Sequence, residues 1–288
     1  MGLTSHDVVN RVRRACGERR VGHAGTLDPM ATGLLVVLVG PATRLAPYLT
    51  AAHKAYRATV VFGAQTDTDD AQGEVIASSP VPDNVRDVSF ATSTAAALVG
   101  THQQVPPAFS AIKRGGEVAY EAARRGEALQ IEPRTIEITS ASLMDVDAAQ
   151  GTWDLELAVS KGTYIRAIAR DLGLELGITA HLGALRRTRS GSLDVADAAT
   201  LEAIDSAEDI TALFVDPVGA LDLPTIEIAQ QQAVEVTHGK RLPSVHGLGV
   251  GDFYSVVHEG RLIAIFEQGA HDSRVSVVIP GGVAGGVR

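Results

Sequence analysis

Short apolar runs closed off by glycine constrain this chain more than any other feature. Leu34-Leu35-Val36-Val37-Leu38-Val39 stands between Gly33 and Gly40, which predicts a buried strand, because the run is brief, partly β-branched and bounded by turn formers. No apolar run approaches the roughly 20 residues that a membrane-spanning helix needs. Residues 56–62 and 134–143 read as further strands, and Trp153, Leu155, Leu157 and Val159 alternate so as to line one face of another. Helices interrupt them. Thr4-Ser5 before Asp7 is a hydroxyl cap with an acid in the first turn, opening a helix that Gly17 closes. Residues 43–50, 90–99 and 120–125 read as helical, and Ile165, Ile168, Ala169, Leu172 and Leu176 recur at helical spacing after Thr163. The alternation is too irregular for clean βαβ units, so the expected class is α+β (mixed α/β).

Texture divides the chain. From about residue 223 the runs 254–257, 262–266 and 275–279 are separated by glycines and charged turns, which predicts a small all-β domain over 223–288 with a frayed Gly-rich end from 281 to 288. Residues 1–222 then form a larger domain, carrying a long polar excursion over about 104–134 that begins at Val105-Pro106-Pro107. The net charge of −9 excludes a protein that coats nucleic acid with its whole surface. Basic residues gather instead in clusters: Arg11, Arg13, Arg14, Arg19 and Arg20; Lys113, Arg114, Arg124 and Arg125; Lys161, Arg166, Arg170, Arg186, Arg187 and Arg189. Such segregation builds a basic face only if the fold gathers the clusters; otherwise they are solvated helix faces. Cys16 is the sole cysteine, so no intramolecular disulfide forms, and a cytoplasmic location is expected. The opening residues show no basic stretch followed by a long apolar one, so no signal peptide is expected. Scattered histidines and one cysteine offer no zinc set, and Asp67-Thr68-Asp69-Asp70 lacks the glycine a calcium loop requires.

The strongest local signal is Gly22-His23-Ala24-Gly25-Thr26-Leu27-Asp28-Pro29-Met30-Ala31-Thr32-Gly33. Capping statistics read Asp28-Pro29 as a helix N-cap with proline in the first turn. Gly33 follows too soon for a long helix, however, and three glycines around a His and an Asp describe a tight loop against a ligand. Pro29 also holds Asp28 extended, a geometry that projects its carboxylate.

This segment closely resembles the catalytic motif of pseudouridine synthases, specifically the bacterial tRNA pseudouridine synthase B family. Other stretches match in order: Thr4-Ser5-His6-Asp7-Val8-Val9, Lys54-Ala55-Tyr56, Thr66 to Gly73, Pro106-Pro107-Ala108-Phe109-Ser110-Ala111-Ile112-Lys113 with Tyr120, Ser160-Lys161-Gly162-Thr163-Tyr164-Ile165-Arg166, and Leu185-Arg186-Arg187-Thr188. The family usually has a strand and an Asp-Lys-Pro turn before its first helix; here only Met1-Gly2-Leu3 precede it, so an N-terminally shortened member is expected.

The resemblance implies a catalytic domain with a largely antiparallel mixed sheet flanked by helices, followed by a PUA-like RNA-binding module. It implies isomerisation of uridine to pseudouridine at position 55, in the T-arm of tRNA, with no cofactor and no metal, by a monomer. Asp28 is then the nucleophile, attacking ribose C1′ or uracil C6. Arg166 orients its carboxylate, and Tyr56 lies against the base as a late proton acceptor. Tyr164 and Leu185 line the uracil pocket, His23 contacts the space the flipped base leaves, and Lys113 and Arg114 grip tRNA phosphates. On residue pattern alone each has a blander reading: a half-buried strand tyrosine at 56, a surface helix arginine at 166, a turn histidine at 23. Two other functions compete. A tRNA-binding chaperone acting without catalysis has no need of Asp28, Tyr56 and Arg166 together. A glycoside hydrolase usually needs a second carboxylate as acid or base, and it would leave the RNA-gripping excursion over 104–134 unexplained.

Overall fold

The computed structural model describes residues 2–110, 112–114, 117–127 and 129–284. The principal elements are α1 (Ser5–Cys16), β1 (Lys54–Phe62), α2 (Val88–Ala97), β2 (Gly100–Gln104), β3 (Arg134–Asp147), β4 (Thr152–Val159), α3 (Ile165–Glu175), β5 (Ala180–Ser190), β6 (Thr225–Glu227), α4 (Gln230–Thr237), β7 (Phe253–His258), β8 (Arg261–Glu267) and β9 (Asp272–Val283). They fall into two compact units. One is built chiefly from Asp28–Leu34 and Ala52–Arg189, the other from Leu3–Leu27, Leu35–Ala51 and the chain from Ser190 onward.

The first unit is organised by a sheet in the order β5-β1-β4-β3-β2. The pairs β1–β4, β4–β3 and β3–β2 are antiparallel, and the short strand Thr32–Gly33 runs parallel beside β5. Alternation decides what is buried. Trp153, Leu155, Leu157 and Val159 of β4 face inward with Tyr56, Ala58, Val60 and Phe62 of β1, each large side chain contributing roughly 1.5–3 kcal/mol of apolar burial. Trp153 is fully buried yet satisfied: its indole Nε1 donates to the Val85 carbonyl at 2.7 Å, and its ring meets Phe62 edge-on at 4.7 Å. The helix α3 lays Ile165, Ile168, Ala169 and Leu172 on this core. A side chain at Gly173 would meet the Ala180 Cβ at 2.7 Å, so glycine is what lets α3 approach the start of β5.

In the second unit, α1 starts with a reciprocal cap between Thr4 and Asp7 and stops at Gly17, which adopts φ 59. A sheet in the order β6-β7-β8-β9 continues to the short strand Leu242–Pro243. Its core gathers Tyr254, Val256, Ala264 and Phe266 with Ala233 and Val236 of α4.

Three expectations need correction. The run 34–39 is not one strand: only Val37–Val39 pairs, with Val21–His23. Leu34 belongs to the first unit and Leu35 to the second, so one apolar run is divided between two units. The carboxy-terminal region is not all-β, because α4 covers one side of its sheet's core. The expected fraying from 281 is also overturned in part: β9 extends to Val283, and residues 285–288 lie outside the described set. The predicted helix at 43–50 forms as a 3₁₀ segment, Gly40–Leu45, running into a short α-helix, Ala46–Ala51.

Candidate active site

Asp28 heads a turn, not a helix. The Ala31 N–H donates to the Asp28 carbonyl at 2.9 Å, and Pro29 occupies the second position of that turn, where its fixed φ fits. The chain then enters Thr32–Gly33 and is stitched to β5. Leu34 N–H donates to the Arg187 carbonyl at 2.9 Å, and Arg187 Nε donates to the Leu34 carbonyl at 2.7 Å. Gly33 (φ 94) is required here, since a Cβ would stand 2.2 Å from the Arg187 carbonyl oxygen. Just before Asp28 in sequence, the Ser5 hydroxyl accepts from Leu27 N–H at 2.9 Å, fixing the entry to the turn within the second unit.

Arg166, from the first turn of α3, is 5% exposed and spends its donors on four oxygens of the first unit. Nε and Nη2 form a two-pronged pair with Asp28, at 2.9 Å to Oδ2 and 3.1 Å to Oδ1. Nη1 donates to the Thr68 carbonyl and Nη2 also to the Phe109 carbonyl, both at 3.0 Å. Asp70 Oδ2 lies 3.6 Å from Nε, while its Oδ1 accepts from Thr68 Oγ1 and Gln72 N–H. The reading of Arg166 as a surface arginine is therefore wrong: loops cover the helix flank that periodicity left open. Asp28 itself keeps 30% of its side chain exposed, as a carboxylate that must meet a substrate requires.

One turn further along α3, Arg170 donates to Asp69 Oδ2 at 3.0 Å and to the Val105 carbonyl at 2.8 Å. Asp69 takes the left-handed conformation, φ 58, and burial pushes its carboxyl up against the opposing pull of Arg170. Together Arg166 and Arg170 fasten the 66–73 loop, and the mouth of the excursion, to one helix.

Tyr56 faces inward from β1. Burial pushes its phenol up; the charge and hydrogen bond of Arg187 oppose this, and the Asp28 charge raises it further. Tyr56, Arg187 and Asp28 thus share one electrostatic environment. Leu185 is buried on β5. Tyr164 caps α3 without a side-chain cap bond; its ring lies under the Arg134 guanidinium at 5.7 Å. His23 lies in the second unit, paired with Val37. Lys113–Arg114 forms a short strand against Glu117–Val118.

Sequence reasoning singled out Asp28, Tyr56, Arg166, Tyr164 and Leu185, and the first unit holds all five. Asp70, Arg170 and the fully buried Arg187 stand in the matched motifs or basic clusters, but nothing in the sequence gives them individual roles. Alternation from Leu185 selects Arg187 over Arg186. Alternation from Leu182 selects the opposite, because inward phase slips by one residue between Leu182 and Leu185. Among the described residues, no group of three or more His, Cys, Asp or Glu is placed to hold a metal, and no helix is long and apolar enough to cross a membrane.

Comparison with known proteins adds the following. Residues 13–165 match the family described as TruB family pseudouridylate synthase (N terminal domain), and residues 166–215 match the tRNA pseudouridylate synthase B C-terminal domain. The tRNA pseudouridine synthase B of Thermobifida fusca (strain YX) is 44% identical over 287 residues, covering 97% of this chain and 96% of that protein. That of Nocardia farcinica (strain IFM 10152) is 42% identical over 285 residues, covering 98% and 92%. Among solved structures, an H/ACA RNP bound to a substrate RNA containing 2′-deoxyuridine superposes with TM-score 0.70 at 22% identity, over 96% of this chain and 82% of that one. The archaeal box H/ACA sRNP Nop10-Cbf5 complex gives 0.68 at 22%, over 96% and 83%. At such identities these two likenesses speak for the α+β fold alone.

Proposed function

The chain belongs to the TruB family of pseudouridylate synthases, and on that premise we propose that it isomerises uridine 55 in the T-arm of cytoplasmic tRNA, acting as a monomer with Asp28 as nucleophile. The observation that carries this reading is the two-pronged Arg166–Asp28 pair beside the buried Tyr56. A pure binding protein need not retain a partly exposed carboxylate held in this way by a buried guanidinium.

The reaction breaks the C1′–N1 bond, turns the uracil and joins C1′ to C5; the C5 proton leaves, and N1 regains one. Asp28 supplies the covalent partner that keeps the reacting fragments together, and Arg166 orients its carboxylate. Tyr56 is assigned to the base and to the departing C5 proton, with Arg187 easing charge at its oxygen. The target nucleotide must leave its stack to reach Asp28, and Tyr164 and Leu185 are assigned to its pocket and His23 to the space it vacates. Lys113 and Arg114, on the 104–134 excursion, are assigned to tRNA phosphates, and residues 223–288 to a PUA-like auxiliary RNA-binding domain.

Tritium release from C5-labelled uridine in unmodified tRNA tests the assignment. Asp28→Asn should lower release by at least about 10⁴-fold while tRNA binding survives. Binding without release by the wild-type protein would instead favour a tRNA chaperone.

A further inference from the structure

Gln104 ends β2 and is 2% exposed. Its side-chain amide meets the main chain of Tyr164 at both polar groups: Tyr164 N–H donates to Oε1 at 2.9 Å, and Nε2 donates to the Tyr164 carbonyl at 3.0 Å. An amide is the side chain that can return both bonds at once, imitating a neighbouring strand. Tyr164 occupies the cap position of α3 and makes no side-chain cap bond, its carbonyl also accepts from Ile168 N–H at 3.2 Å, and the turn that follows is buried through Ile165, Arg166 and Ala167. Gln104 also faces Arg134 across the β2–β3 ladder, and it is Arg134 whose guanidinium covers the Tyr164 ring. One ladder pair therefore holds both the backbone and the ring of Tyr164, two residues before Arg166.

Resting on the site assignment above, we propose that Gln104 is a positioning residue for catalysis: its double amide clamp on Tyr164 sets the first turn of α3, and through it the angle at which Arg166 presents Asp28. Gln104 meets no reacting atom in this role, so its loss should slow chemistry and leave RNA affinity alone.

Single-turnover tritium release with saturating protein tests this, alongside tRNA binding and thermal melting. Gln104→Met preserves shape and removes both hydrogen bonds. Its rate should fall about 10-fold or more, consistent with misplacement of a catalytic group, with tRNA Kd within about twofold of wild type. Gln104→Leu likewise removes both hydrogen bonds with a different apolar shape, so its rate should fall alike, and it decides the matter if Gln104→Met does not fold. A wild-type rate in either folded variant overturns the proposal. So does a rate loss that merely tracks loss of folded protein or of tRNA binding. Asp28→Asn run in parallel separates the two levels: turnover by that variant defeats the site assignment, whereas an inert Asp28→Asn beside a fully active Gln104→Met defeats only the clamp.

Discussion

Lys54 occupies an inward position on β1, two residues before Tyr56, and donates from Nζ to the Ala52 carbonyl at 2.6 Å. Burial first, then the charges of Arg187 and Lys161, brings its ammonium down to about 8. The unfolded chain holds that proton to about 10.4, so between these values the unfolded state binds more protons and stability rises with pH. Lys54→Met should therefore melt above wild type near neutral pH, and the advantage should shrink as pH climbs from about 8 toward about 10.4. Melting curves at both ends check this; a constant difference would assign the gain to packing. At this scale the sequence was informative about Asp28, because the glycines and Pro29 announce a tight loop. It was uninformative about how deeply Arg166 is buried, because the cover comes from residues 66–73 and 105–110, which are remote in sequence from α3. The choice between Arg186 and Arg187 turns on a phase slip inside β5 at Gly183-Ala184, where a strand glycine marks an irregularity without saying which way the phase moves.

The 66–73 loop and α3 behave as one element, tied by two arginines a helical turn apart. Removing Arg170 leaves the Asp69 carboxylate buried beside Leu182, whose N–H donates to the Asp69 carbonyl, without its cation. Arg170→Met should cost about 3 kcal/mol. Because burial already pushes the Asp69 carboxyl up, protonation relieves the loss, so the deficit should shrink on acidification. Asp69→Asn added to Arg170→Met should recover much of it, since Asn tolerates the left-handed backbone. Urea unfolding at two pH values distinguishes this from an uncoupled pair, in which the double variant would be the less stable one. Elements with a clear period were legible: β1, β4 and α3 lie where alternation and helical spacing put them. The run at 34–39 was misread because its residues are shared between two units, and α4 was missed because its Gln230-Gln231-Gln232 start carries no apolar period.

For the molecule as a whole, the net charge of −9 leaves tRNA attraction to local cations. Neutralising Lys113 and Arg114 together should reduce the slope of log affinity against log salt by about 2, with titrations at several salt concentrations as the check; an unchanged slope would remove both residues from the RNA contact. The whole-chain class was legible from irregular alternation, whereas the two-unit partition, in which short amino-terminal segments join residues beyond 190, left no mark in composition. Arg166 and Arg170 reach Thr68, Val105 and Phe109 only through main-chain oxygens. The Thr68 hydroxyl has its own work in donating to Asp70, but as far as the arginines are concerned Val105 and Phe109 can exchange one side chain for another, whereas a single inserted or deleted residue between 105 and 109 would carry a carbonyl out of reach. The history of these segments should be written in gaps far more sparingly than in substitutions.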